Sequence, residues 1–243
     1  MATTPSRLRI LPQPNDTTCG PTCLQAVYGF FGDELPLDQV IEECRTLEGG
    51  GTLGVFLGQH ALRRGYRARL ITANLQVFDP SWFADDGSAE PGHLIERLRA
   101  QAAVKPDPRL QVATRAYLEF LEQGGELLYE DLTPALLRRY LEAGCPVLTG
   151  LSATYLYGNT REIGEDNHPD DLLGEPVGHF VVLASLGADA GQIDIADPLL
   201  GNPYSDDHHY TVDEHRVLAS ILIGVLTYDA NLLVIDPKRP SAT

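Results

Sequence analysis

The sequence predicts an α+β protein, and three observations carry that expectation. Helical periodicity crowds the first half of the chain, beginning with the Leu24, Val27, Tyr28 and Phe31 face. Apolar runs of strand length dominate after Pro146. The two kinds of element are segregated along the chain, where βαβ units would alternate them.

Taken in order, Pro12, Pro14 and the polar string from Asn15 to Thr18 form an irregular lead-in. A helix follows from about Gly20 to Phe31, with Pro21 in its first turn, where a missing N–H costs nothing, and Gly32 behind it. Further helices are predicted over Leu37–Leu47 and Val55–Arg64, the latter closed by Gly65, and then a strand over Arg67–Thr72. Residues 74–125 differ in character. Four prolines (Pro80, Pro91, Pro106 and Pro108) interrupt them, with helical patterns at Leu94–Val104 and Leu110–Glu122, so the stretch reads as a helical insertion or lid within a single domain spanning 1–243. Glu126–Tyr129 is a strand, Pro134–Ala143 a helix with Thr133 as its cap, and Pro146–Leu151 a strand. A polar loop runs from Tyr157 to Pro176. Strands are then predicted over His179–Leu186 and Gln192–Ala196, a short helix over Asp213–Ser220, and strands near Leu222–Tyr228 and Leu232–Ile235.

Composition narrows the partners. The 243 residues are 43% hydrophobic, enough for a core without metals or disulfides, and 18 basic residues face 34 acidic ones for a formal charge of −16. That balance argues against nucleic acid and against an anionic membrane surface, both of which need a clustered basic face. No segment reaches the ~20 apolar residues that span a bilayer, and residues 1–14 hold no signal-peptide core. The expectation is a cytoplasmic protein whose four cysteines (Cys19, Cys23, Cys44 and Cys145) are reduced. None of them has Cys-x-x-Cys spacing and no histidine string fits a zinc site, so neither metal nor other cofactor is expected.

The chemistry concentrates in Gln13-Pro14-Asn15-Asp16-Thr17-Thr18-Cys19-Gly20-Pro21. A cysteine opening a helix sits among unpaired N–H groups and the positive end of the helix dipole, which favour a thiolate. Gly20 removes a side chain beside the sulfur and can let a substrate backbone approach. Gln13 can return its amide to the sulfur and, with the Cys19 N–H, form an oxyanion hole. By itself a Cys-Gly-Pro helix start reads equally well as a small buried residue. Two downstream features shift that balance. His179 follows Gly178 at the mouth of the apolar strand Phe180-Val181-Val182-Leu183, and Asp197 ends the next strand, Ile193-Asp194-Ile195-Ala196. If the two strands pair, Asp197 can accept the imidazole N–H and fix the tautomer of a general base.

These stretches resemble the bacteriocin-processing (double-glycine leader) cysteine peptidase family, and most of all its stand-alone, papain-like relatives. Gly51-Thr52, Arg64-Gly65-Tyr66-Arg67-Ala68 and Gly144-Cys145-Pro146-Val147-Leu148 extend the similarity, which covers roughly residues 8–72 and 132–228. Exporter-linked members have an aspartate immediately before the cysteine, where this chain has Thr18. The resemblance implies a papain-like cysteine proteinase fold, with a helical half bearing Cys19 and a twisted antiparallel sheet bearing His179 and Asp197. It also implies Cys19 as nucleophile, His179 as base, Asp197 as orienting acid and Gln13 as oxyanion donor. The expected activity is that of a thiol protease or amidase, a hydrolase of peptides or amides acting through an acyl-enzyme. An acyltransferase or a non-catalytic peptide-binding module on the same scaffold are the alternatives.

Other features read more plainly. Cys23 and Cys145 are core thiols, and Gly49–Gly54 is a turn that lacks the Gly-Lys-Ser/Thr ending of a phosphate loop. Asp206, Asp207, His208 and His209, with Asp213, Glu214 and His215, lack regular ligand spacing and read as a solvated loop. From Arg161 to Pro176 the chain carries six carboxylates against one arginine and leads directly into Gly178-His179. If that loop borders the cleft, Asp166, Asp170 and Asp171 select cationic substrates, and Gly178 lets them reach the base.

Overall fold

A computed structural model describes residues 8–164, 167–224 and 231–237. Its helices are α1 (Cys19–Phe30), α2 (Leu37–Glu43), α3 (Gly54–Arg63), α4 (Pro91–Val104), α5 (Pro108–Glu122), α6 (Pro134–Glu142), α7 (Ala153–Tyr157) and α8 (Glu214–Ile223). Its strands are β1 (Tyr66–Thr72), β2 (Glu126–Tyr129), β3 (Val147–Ser152), β4 (Glu162–Ile163), β5 (His168–Pro169), β6 (Gly178–Leu186), β7 (Gln192–Ala196), β8 (His209–Asp213) and β9 (Asn231–Pro237). Seven strands form one sheet in the order β2-β1-β9-β3-β6-β7-β8, while β4 and β5 make a separate small hairpin. Every neighbouring pair in the large sheet is antiparallel except β1 and β2, whose connection carries α4 and α5. The class is α+β.

Strand alternation explains why the β6 run is apolar at every position. Phe180 and Val182 face the core under α1, α3, α4 and α5, whereas Val181 and Leu183 face a second core under α6 and α8. Leu148 against Val147 and Leu151 in β3, and Leu233 and Ile235 against Leu232 and Val234 in β9, divide the same way. The sheet is therefore a central layer with helices on both faces. Each fully buried Leu, Val or Ile contributes about 1.5–3 kcal/mol of hydrophobic stabilisation.

The 74–125 stretch joins the first of these cores. Gln59 Nε2 donates to the Ala116 carbonyl at 2.7 Å. Phe120 lies over Gly58 and Gly125 so closely that a Cβ on Gly125 would come within 2.4 Å of its ring.

Three differences from the expected elements have local causes. Helix α2 stops at Glu43 because a glycine turn begins soon after it, with Leu47 N–H bonded to the Gly51 carbonyl at 3.0 Å and Gly50 and Gly51 both at positive φ. The expected strand from Leu222 starts inside α8, which buries Val217, Leu218 and Ile221 on one face, while residues 225–228 lie outside the described residues. Strand β8 was not expected at all; its Tyr-Thr-Val centre is short and flanked by the acidic and histidine residues read as a loop.

Candidate functional site

Cys19 is the first residue of α1, and the turn before it is held by its own side chains. The Thr18 hydroxyl donates to the Asn15 carbonyl at 2.9 Å, and Asn15 Oδ1 accepts the Thr17 N–H at 3.0 Å. Gln13 sits on this turn with its Nε2 donating to the Asn15 carbonyl at 3.0 Å, which leaves the second amide hydrogen free. The Gln13 backbone N–H donates to the Pro198 carbonyl at 2.8 Å, tying the turn to the residue after Asp197.

His179 is the second residue of β6, opposite Leu151 of β3. Its Nε2 lies 2.8 Å from Asp197 Oδ1, which leaves Nδ1 for the Cys19 side, and Cys19 lines the same cavity wall. The structure thus brings Cys19, His179 and Asp197 into one line from α1 through β6 to the end of β7. Exposure falls along it, from 8% at Cys19 and 6% at His179 to 0% at Asp197.

Asp197 is saturated with donors. Besides His179, its Oδ1 accepts the Leu199 N–H at 2.9 Å, and its Oδ2 accepts the hydroxyls of Tyr157 at 2.5 Å and Tyr210 at 2.6 Å. Burial by itself would raise the carboxyl, but the His179 bond and charge and the two tyrosines hold it at about 2. Burial would likewise lower the imidazole; its bonds to Asp197 and Cys19, and their charges, raise it instead to about 10. Burial, and then the Asp197 charge, push both phenols far above their ordinary range, so they remain donors.

The other thiols are placed differently. Cys23 is fully buried with its Sγ toward the Phe180 carbonyl at 3.3 Å, and burial pushes its pKa well up. Burial pushes Cys44 to about 12 and also raises Cys145.

Two cavities flank the Cys19–His179 pair and meet at Asp16, Gly178 and His179. One, of about 240 Å³, is lined by Cys19, Gly50, Gly51, Leu53, Gly150 and Phe180. The other, of about 270 Å³, is lined by Gln13, Tyr157, Glu162, Asn167, Val177 and Leu199, among others. No residue of 74–125 lines either. A larger hollow of about 440 Å³, bordered by Leu8, Phe30 and Asp194, contains none of Gln13, Cys19, His179 and Asp197.

The remaining candidates sort by position. Gly178 lines both cavities. Gly20 lines neither: a Cβ there would meet Thr52 Cγ2 at 2.5 Å and Leu57 and Phe180 at 3.2 Å, so close packing of α1 accounts for this glycine. Asp170 is occupied by its own loop, with Oδ1 accepting the N–H groups of Leu172 and Leu173 at 2.8 Å each. Asp171 is exposed, and its carbonyl accepts Arg161 Nη2 at 2.5 Å. Neither lines the cavities beside Cys19, and Asp166 lies outside the described residues. Sequence reasoning missed Tyr157, Tyr210, Asp16 and Glu162. The tyrosines come from α7 and β8, two elements too short to show a period, whereas Glu162 was visible only as one of six loop carboxylates.

Among the described residues no group of three or more His, Cys, Asp or Glu side chains is placed to hold a metal. Asp213 instead caps α8 through the N–H groups of His215 and Arg216, and His209 bridges the Asp207 and Leu8 carbonyls. No helix of the described residues is long and apolar enough to cross a membrane.

No family model and no curated protein matches the chain. Solved structures similar to it at low identity include the following three. The peptidase domain of Streptococcus ComA, described as a bifunctional ABC transporter involved in a quorum-sensing pathway, is 13% identical at a TM-score of 0.44, covering 95% of this chain and 99% of that one. A C39-like peptidase from Bacillus anthracis is 15% identical at a TM-score of 0.39, covering 96% of each chain. Xylellain, a cysteine protease from Xylella fastidiosa, is 16% identical at a TM-score of 0.43, covering 98% of this chain and 85% of that one.

Proposed function

We propose that this chain is a papain-like cysteine peptidase that cleaves a peptide or amide bond through an acyl-enzyme. One observation carries the reading: a thiol at a helix start shares a cavity wall with an imidazole whose Nε2 is held by a four-donor carboxylate. A structural histidine has no need of that relay, and it is the arrangement that a base-activated nucleophile requires.

The steps follow from the placement of the groups. The Cys19 thiol gives its proton to His179 Nδ1, and the sulfur attacks the carbonyl carbon of a peptide lying across the two cavities. The oxyanion is received by the Cys19 backbone N–H and the free hydrogen of Gln13 Nε2. His179 then protonates the leaving amine, the C–N bond breaks and the acyl group stays on sulfur. Water, deprotonated by His179, attacks the thioester and releases the acid. Asp197 remains an anion throughout. It holds Nε2–H and so keeps Nδ1 directed at the sulfur.

The test is to incubate the protein with a peptide pool from a digested proteome and to identify new termini by mass spectrometry. Wild type is expected to generate a consistent set of termini that Cys19→Ser does not. Identical pools from the two proteins would refute the proposal.

A further inference from the structure

The cavity beside Gln13 is rich in acceptors and, among the described residues, lined by no lysine or arginine. Glu162 lies in β4, held against residue 175 by backbone bonds of 3.1 and 2.8 Å, so its backbone position in the cleft wall is fixed. Its side chain is half-buried and, among the described residues, has neither a hydrogen bond nor an ion pair; burial and then the Asp16 charge raise its carboxyl. Among the described residues Asp16 accepts only the Asn167 amide at 2.8 Å, a bond that straps the β4–β5 turn to the Cys19 lead-in without supplying a cation. Gln13, 3% exposed, presents a buried Oε1 that no donor meets.

Five carboxylates elsewhere are treated differently. Asp33, Glu119, Glu126, Glu130 and Glu214 are each bonded to an arginine. Among the described residues the one imidazole at the cavity wall is His179, whose Nε2 is held by Asp197 and whose other nitrogen is left for the Cys19 side. A half-buried carboxylate facing a second one is unfavourable unless a ligand supplies the missing charge and donors.

We propose that the cavity lined by Gln13, Asp16 and Glu162 is a subsite for the ammonium or guanidinium group of a Lys or Arg side chain in the substrate. This inference rests on the peptidase reading above and names its substrate class. It moves the cation-selecting role from Asp170 and Asp171, which serve or flank the loop, to the two carboxylates that line the cleft.

The test compares two small thiol reagents of opposite charge, 2-aminoethyl and 2-sulfonatoethyl methanethiosulfonate. Each forms a mixed disulfide with the Cys19 sulfur and releases methanesulfinate, and each rate is divided by that for N-acetylcysteine. The cation-to-anion ratio at Cys19 is read by peptide mass spectrometry, with neutral iodoacetamide as the reference. Glu162→Gln and Asp16→Asn are expected to lower the ratio about three- to tenfold each and to leave the iodoacetamide rate unchanged. Asp171→Asn removes the same charge from the same loop outside the cavity and is expected to leave the ratio at its wild-type value. The subsite is refuted, with the nucleophile intact, if Glu162→Gln keeps the wild-type ratio or if Asp171→Asn lowers it equally. If neutral iodoacetamide does not favour Cys19 over the other three cysteines, the peptidase reading fails and the subsite falls with it.

Discussion

Asp197 accepts from His179, Leu199, Tyr157 and Tyr210, and a carboxylate so held neither rotates nor protonates in the working range. Asp197→Asn should leave the protein folded and lower peptide turnover by about 10²–10⁴-fold, because an amide can present its NH₂ to the imidazole and favour the wrong tautomer. Asp194, three positions earlier and bonded to the Ser185 and Thr211 hydroxyls, should tolerate the same change with turnover near wild type. Tyr157→Phe and Tyr210→Phe each remove one donor and should lower turnover about three- to tenfold, in line with a single hydrogen bond. The pH dependence follows from the raised imidazole. His179 is the proton donor to the leaving amine while protonated, so turnover should hold through neutrality and fall as pH rises through about 10. Asp197 has the opposite sign. Its depressed pKa contributes stability that is present above the ordinary 3.8 and lost as pH falls through about 2, which an acid denaturation series would read.

Helix α1 shows how an element sets the site. It can lie against α3 and β6 only because Gly20 has no side chain, with Thr52, Leu57 and Phe180 already in that space. Gly20→Ala should therefore destabilise the protein by about 1–3 kcal/mol through overpacking, measurable by thermal or urea denaturation. Unchanged stability would show that α1 is not packed as described. At this scale the sequence was informative where an element is long or strongly patterned. The helical face of Leu24, Val27 and Tyr28, the β6 run and the Ile-Asp-Ile-Ala strand were all readable, and with them the order Gln13, Cys19, His179, Asp197. Helix α7, with five residues, and β8, flanked by charge, gave no period to read, so the two tyrosines that hold Asp197 were invisible.

Across the whole molecule, charge was legible as a sum and not as a map. A count of six carboxylates between Arg161 and Pro176 cannot say that Asp170 turns back on its own loop while Glu162 lines the cavity. The two-sided burial of the sheet was likewise only implied by the unbroken apolar run of β6. With no cluster of metal ligands among the described residues, peptide cleavage should survive EDTA, and a loss restored by zinc or calcium would assign the chemistry elsewhere. The central claim, that Cys19 is the nucleophile, is tested most directly by following iodoacetamide modification and peptide cleavage in the same sample, with the label located by peptide mass spectrometry. The account predicts one label per chain, at Cys19, and a loss of cleavage with the same rate constant. Cleavage that persists after Cys19 is fully alkylated, or that is lost in step with Cys23, Cys44 or Cys145 instead, would contradict it.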